Sequence, residues 1–397
     1  MQFGPRSALR RSQRIFGRFD RITAMSSTKS TSKHSRADLT LEEVARLAGV
    51  SRSTVSRVIN DDLNVKTATR EQVWRVIKTH DFHPNRAAQT LAKRQSRIIG
   101  LVIPQAVNEV FTDPYFPTLI QGIAGACDER GYYLMLSLLV RQSDDTFRRL
   151  IRAGHMDGLI IASALINDHM VARLAEEHFP FVLIGRAPES EDVVTVDADN
   201  ARGAAMAVQY LARLGYSRIA TITGPLSMVA AHDRLEGFLF GLRALDSAAP
   251  AEYIQEGDWS QWSGTQAMER LLRATPPPEA VFVASDSMAI GALKAIHAAG
   301  QRVPEDVALV GFDDIPLASV VDPPLTTVRQ PIERLGYLAA STLIDLLNSA
   351  GEESLGAQHI VLPTELVVRA SCGQALRFTA NLHLHSKKLS KGGAGQK

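Results

Sequence analysis

Cysteine is nearly absent from this chain: of 397 residues only Cys127 and Cys372 carry thiols, far apart and without metal-ligand spacing. That excludes a disulfide-stapled scaffold, and both read as buried or incidental thiols in a reducing compartment. The histidines make no metal site. His155, His169, His178, His232, His297 and His359 stand singly, and the pairs His80/His83 and His383/His385 have no Cys or carboxylate cluster beside them, whereas zinc needs three or four convergent ligands. No metal or other cofactor is expected. No apolar run reaches the roughly 18 residues of a membrane span, and the Arg-rich start lacks the apolar core and small-residue cleavage site of a secretory signal. Also missing are G-x-G-x-x-G after a strand, G-x-x-x-x-G-K-[ST] and G-x-S-x-G. An α/β enzyme built on a dinucleotide, a P-loop or a nucleophile elbow is thereby disfavoured. The tail 373–397 has no leucine heptads and reads as disordered.

Charge is present but unevenly placed. The net charge is +2, yet residues 1–97 carry 20 basic and 8 acidic side chains, while 98–397 carry 24 and 34. A basic N-terminal part attached to an acidic remainder suits a polyanionic partner at one end. Residues 1–37, rich in Arg, Ser, Thr and Lys, read as a disordered basic arm, with Met25 as an alternative start. The next stretch is more informative. Leu41, Val44, Ala45 and Ala48 fall at i, i+3, i+4 and i+7, giving one apolar helical stripe. Gly49 ends that helix and Ser51 is placed to cap another, whose own stripe is Val55, Val58 and Ile59. Arg52, Ser53, Thr54, Ser56 and Arg57 fall off the stripe. Two short helices joined this way, with polar residues facing outward, form a helix-turn-helix whose second helix reads base edges. A third helix starts in Val65–Arg70, with Val73, Val76 and Ile77 on one side.

The run Val50-Ser-Arg-Ser-Thr-Val-Ser-Arg-Val-Ile-Asn60, followed by His83-Pro-Asn-Arg-Ala-Ala-Gln-Thr-Leu-Ala92, resembles the DNA-binding and hinge segments of the LacI/GalR family. The likeness extends from about Asp38 to Ser371. It implies a helix-turn-helix domain over 38–83, a hinge helix and linker over 84–96, and an effector-binding and dimerisation domain over 97–372. Double-stranded operator DNA would meet Thr40, Ser51, Arg52, Ser53, Thr54, Ser56, Arg57 and Asn60, with Asn85, Arg86, Ala88 and Leu91 from the hinge. The resemblance also implies a homodimer in the cytoplasm.

Downstream, short apolar runs alternate with helical segments: Ile98–Pro104, Tyr133–Leu139, Gly158–Ala162, Phe181–Gly185, Ile219–Gly224, Ala280–Ala284 and Val307–Gly311. These read as buried parallel strands. Two doubly wound α/β subdomains follow, similar to periplasmic sugar-binding proteins, with boundaries near 196 and 327 and a recrossing at Thr327–Pro331. In such sheets ligands bind beyond the carboxyl ends of the strands. The candidate segments there are Asp113–Phe116, Arg234–Phe238, Gly257–Ser260, Ala284–Met288 and Val310–Asp314. Aromatic, guanidinium and carboxylate groups together suit a polyhydroxylated ligand. By family resemblance Arg234, Trp259 and Asp313 would hold the effector, with Tyr115 and Phe116 from the first subdomain. Ser285 stands where relatives usually place Asn. Plainer roles compete: Phe116 as core, Asp286 and Asp314 as helix caps, Gly311 as a strand-end turn and Pro323–Thr327 as a crossover.

The expected protein is a transcriptional repressor, not an enzyme, controlled by a sugar or sugar derivative in the cleft between subdomains. The alternatives are a corepressed regulator of purine-repressor type, a sugar-binding protein and an α/β enzyme.

Overall fold

The computed structural model describes residues 39–60, 62, 64–82, 95–103, 107–138, 151, 155–162, 165–166, 168–187, 192–245, 247–349 and 358–374. They fall into two compact units, 39–82 and 95–374.

The first unit is three helices: α1 (Leu41–Leu47), α2 (Arg52–Ile59) and α3 (Thr67–Thr79). Thr40 caps α1 in a capping box with Glu43, and Ser51 caps α2 by accepting from the Thr54 amide, so both starts satisfy free backbone donors locally. Gly49 takes the left-handed backbone of the turn at φ +62°. Val44, Ala45, Ala48, Val55, Val58, Val73 and Ile77 close one core, joined by Phe82. Burial of that stripe is what holds helices this short, since isolated helices under about 12 residues are marginal in water.

The second unit holds two six-stranded sheets. In the first the order is β11-β5-β4-β3-β1-β2, all parallel: β1 (Ile98–Ile103), β2 (Tyr133–Leu138), β3 (Gly158–Ile161), β4 (Phe181–Ile184), β5 (Thr195–Ala198) and β11 (His359–Leu362). The second has the order β12-β10-β9-β8-β6-β7: β6 (Ile219–Thr223), β7 (Ile254–Glu256), β8 (Ala280–Val283), β9 (Ala308–Asp313), β10 (Thr326–Arg329) and β12 (Glu365–Val367), of which β12 alone runs antiparallel. The helices are α4 (Val107–Thr112), α5 (Tyr115–Glu129), α6 (His169–Glu176), α7 (Asn200–Arg213), α8 (Val229–Arg243), α9 (Gln261–Leu272), α10 (Asp286–Ala298) and α11 (Ile332–Asn348). Helices α5 and α11 pack with one face of the first sheet and α6 with the other. Around the second sheet, α7 and α8 bury Phe238, Phe282 and Phe312 on one face, and α9 and α10 cover the opposite face.

The chain changes sheets after Ala198, close to the expected 196, because Asp197 and Ala198 still pair with β11. Pro323–Thr327 is not the crossover. Thr326 and Thr327 already belong to β10, which pairs with β9, and the return falls at Gln330–Pro331. A further crossing at Pro363–Thr364, between β11 and β12, had no signal in the hydropathy. The tops of both sheets therefore face a common cleft. On one side of it Leu165 forms an antiparallel bridge with Met228, and the Ile166 amide donates to Ser227 O at 2.9 Å.

Candidate functional site

On α2 the side chains of Arg52, Ser53 and Arg57 are exposed, while Thr54 and Ser56 are half-buried. Arg52 Nε lies 2.8 Å from Glu42 Oε1 and Arg57 Nε 3.8 Å from Asp62 Oδ2. These are surface ion pairs worth about 0–1 kcal/mol, so a phosphate or a guanine edge can replace the carboxylate at small cost. Ser51 and Thr40 serve first as caps, and Ser51 Oγ also lies 2.8 Å from Ser53 Oγ and from Thr54 Oγ1. Asn60 closes α2 and donates to Ser56 Oγ at 3.4 Å. Asn85, Arg86, Ala88 and Leu91 lie outside the described residues.

In the second unit a cavity of about 350 Å³ opens beyond the strand ends of both sheets, and Tyr115, Phe116, Arg234, Trp259, Ser285 and Asp313 all line it. Arg234 is its fixed point. Its Nε donates to Asn200 Oδ1 at 2.8 Å, Nη1 donates to Ala284 O and to Asp313 Oδ1, and its plane lies 3.8 Å from the Phe312 ring centre. No protein group takes its Nη2 donors among the described residues. Asp313 also accepts from Gln330 Nε2 at 2.6 Å, and its burial, opposed by Arg234, pushes its carboxyl up to about 7. Trp259 lies over Gly224, where a Cβ would sit 2.2 Å from the indole, and its Nε1 donates to Met228 Sδ. Asp313 and Trp259 have φ of +113° and +73°, backbone strain of the kind that clusters at ligand sites. Tyr115 and Phe116 meet edge to face at 5.3 Å and close the opposite wall.

Comparison with known proteins follows this geometry. Residues 40–85 match the model for bacterial regulatory proteins of the lacI family, and residues 208–372 match that for a periplasmic binding protein-like domain. The HTH-type transcriptional regulator CelR of Thermobifida fusca is 40% identical over 84% of this chain and 98% of its own length. A solved structure, a transcriptional regulator CelR-cellobiose complex, superposes with TM-score 0.66 at 38% identity, covering 84% of this chain and 99% of that one. A lac repressor dimer bound to operator and the anti-inducer ONPF gives 0.73 at 31% identity, over 84% and 99%. The chain belongs to the LacI family. It is a DNA-binding transcriptional regulator and not an enzyme.

In this LacI-family regulator several residues do other work than the sequence suggested. Ser285, not Asp286, caps α10 by accepting from Met288 N at 3.2 Å. Asp286 is fully buried instead, accepting from Thr327 Oγ1 at 2.6 Å and Ile315 N at 2.9 Å, and burial beside Asp313 raises its carboxyl well above the usual range. Gly311 makes no turn. It lies inside β9, where the space left beside it is taken by Asp286: an added Cβ would meet Asp286 Oδ1 at 2.2 Å. Asp314 caps nothing and pairs with Arg329 and Arg369.

Other lining residues lay outside the sequence reading. Asp197 and Asn200 enter from β5 and the start of α7, and Gln330 from the crossing; Ser287, from α10, lies inside the flagged segment Ala284–Met288. The β-branched run Val193–Val196 followed by Asp197 was a usable strand signal; Gln330 had none, being placed only by where the chain recrosses. Asp113, inside a segment the sequence did flag, accepts from Tyr115 N at 3.1 Å and faces Ser287 Oγ at 3.5 Å across the cleft. The two-pronged pair of Arg186 with Asp233 adds a further tie between subdomains. His232, Asp233 and Glu236 bring ligating atoms within 4.8 Å of one another, but Asp233 is already held by Arg186. Among the described residues no helix is long and apolar enough to cross a membrane.

Proposed function

We propose that this regulator is a repressor which binds a pseudo-palindromic operator as a homodimer and whose operator affinity is set by a sugar in the cleft. The observation that carries the effector half is the cavity beyond both sets of strand ends, with Arg234 fixed at its base and its Nη2 donors met by no protein group among the described residues. Asp313 and Asp113 offer paired acceptors for vicinal hydroxyls, and Trp259 with Tyr115 and Phe116 offers apolar surface for a ring face. Arg52, Ser53 and Arg57 would read bases in the major groove, supported by Thr40, Ser51, Thr54, Ser56 and Asn60. The hinge residues Asn85, Arg86, Ala88 and Leu91 would enter the central minor groove, with Leu91 as a wedge. The dimer finds support in the operator-bound dimer of the lac repressor, and a carbohydrate effector in the cellobiose complex of CelR.

The test is fluorescence anisotropy of the full chain on DNA from its own upstream region, with and without cellobiose and other neutral sugars. A sugar-dependent change in affinity of several-fold, in either direction, is expected. DNA binding that no sugar alters would remove the sugar from the reading.

A further inference from the structure

The cleft carries more carboxylates than cations. Three carboxylates, Asp113, Asp197 and Asp313, line its interior with Asp258 at its exposed rim, against one guanidinium, Arg234, among the described lining residues. Arg234 is matched by Asp313 at 3.3 Å, which leaves the other carboxylates without a cation in the cavity. Asp113 is met by the Tyr115 amide and the Ser287 hydroxyl, and Asp197 by the Ala198 amide and Asn200 Nδ2 at 3.1 Å. All of these are dipoles. The nearby cation Arg186 does not line the cavity and is bound in two-pronged fashion to Asp233, so it cannot turn to a ligand without opening that pair.

From this balance we infer that the effector is an uncharged polyhydroxylated molecule, and that Asp113 and Asp197 are specificity-determining residues which exclude phosphorylated sugars, sugar acids and nucleotides. The inference rests on the sugar reading above and narrows it. A carboxylate held only by neutral donors in a partly buried cleft accepts sugar hydroxyls readily. The same carboxylate repels an anion a few ångströms away, and a partly buried site screens the pair less than bulk water does. Nor does the site offer what an anion would need: among the described lining residues there is no lysine and no second arginine. Burial raises the carboxyls of both Asp113 and Asp197, the latter to about 6, as expected of acids whose charge is poorly compensated.

The experiment compares neutral sugars with anions on the same skeleton: glucose against glucuronate and glucose 6-phosphate, ribose against ribose 5-phosphate, and cellobiose against cellobionate. Each is titrated into the full-length protein by calorimetry and thermal shift. The neutral member of at least one set should bind, and its anions should bind about 100-fold more weakly or not at all. The isosteric variants Asp113→Asn and Asp197→Asn should narrow that gap by weakening the neutral sugar less than they improve the anion. Equal binding of an anion and its neutral parent would overturn the exclusion while leaving the sugar reading intact. An unchanged gap in both variants would remove Asp113 and Asp197 from the selectivity. Binding of a nucleotide or nucleobase with no sugar bound would overturn the sugar reading and this inference together.

Discussion

A guanidinium on the exposed face of α2 gains most where it meets two acceptors on one guanine, because the planar fork matches N7 and O6 together. Arg57 is the side chain proposed for that contact, and among the described residues its ion pair is the one with Asp62 at 3.8 Å. Arg57→Ala should weaken operator binding by about 1–3 kcal/mol and relax preference at one base position, read by anisotropy on a set of single-base operator variants. An equal loss on every sequence would instead make Arg57 a phosphate contact. In the cleft the residue to watch is Asp313. Its folded carboxyl titrates near 7 against an ordinary value of 3.8, chiefly from desolvation. A raised acid holds its proton more tightly in the folded protein, so its contribution is fully present below about pH 4 and is lost as pH rises through 7. Without ligand, the sensor unit should therefore gain stability from this group on going from pH 8 to pH 5. Asp313→Asn should flatten that part of the profile in denaturant titrations, and a profile of unchanged slope would contradict the assignment.

Helices reach this cleft by close packing, and the pair α5 and α11 shows how. Gly122 approaches the backbone of Glu333, where a Cβ would come within 1.9 Å of the carbonyl oxygen, and Gly336 answers by approaching Leu119 O at 2.3 Å. Backbone lies against backbone, so an added side chain has no flexible neighbour to displace. Since α5 begins at Tyr115 and carries Phe116, its seating on α11 fixes the first-subdomain wall of the cavity. Gly336→Val should destabilise the sensor unit by about 1–3 kcal/mol or more through overpacking, and should weaken effector binding further by shifting that wall. Urea unfolding and ligand titration on the same preparation separate the two effects. Lost stability with unaltered affinity would show that α5 can move without moving Tyr115 and Phe116.

At the scale of the whole chain the question is coupling. The proposed hinge runs directly into β1, so a change in the angle between subdomains has a covalent path to the DNA-binding end. Arg234 ties Asn200 and Ala284 to Asp313 on the second-subdomain side, while Asp113, Tyr115 and Phe116 stand on the first. An effector spanning both should carry a coupling of about 1–3 kcal/mol, or roughly 5- to 150-fold in operator affinity, with the same factor appearing in effector affinity when operator is present. Arg234→Ala should abolish that factor while operator affinity without effector stays near wild type. Measuring both affinities in both proteins checks the cycle, and a full response in the variant would take Arg234 out of the sensor.

The sequence by itself determined the elements whose signal is local. The stripe Val44, Ala45, Ala48, Gly49 and the cap Ser51 define a helix-turn-helix because periodicity and backbone freedom act over a few residues. The buried strands β1, β3, β4, β6, β8 and β9 were legible because parallel strands covered on both faces must be continuously apolar, whereas β2, expected to be buried, is an edge strand with Tyr133 and Leu136 exposed. Tertiary structure alone decided the rest. β10, β11 and β12 are short and contain Thr, Arg, His or Glu, so only pairing with distant strands makes them strands. It also decided what the acids do: Asp286 serves Thr327 and Ile315, Asp314 serves two arginines, and Asp113 and Asp197 face the cavity. A carboxylate carries no mark of its partner in the sequence, because its partner is set by which strand ends the three crossings bring together.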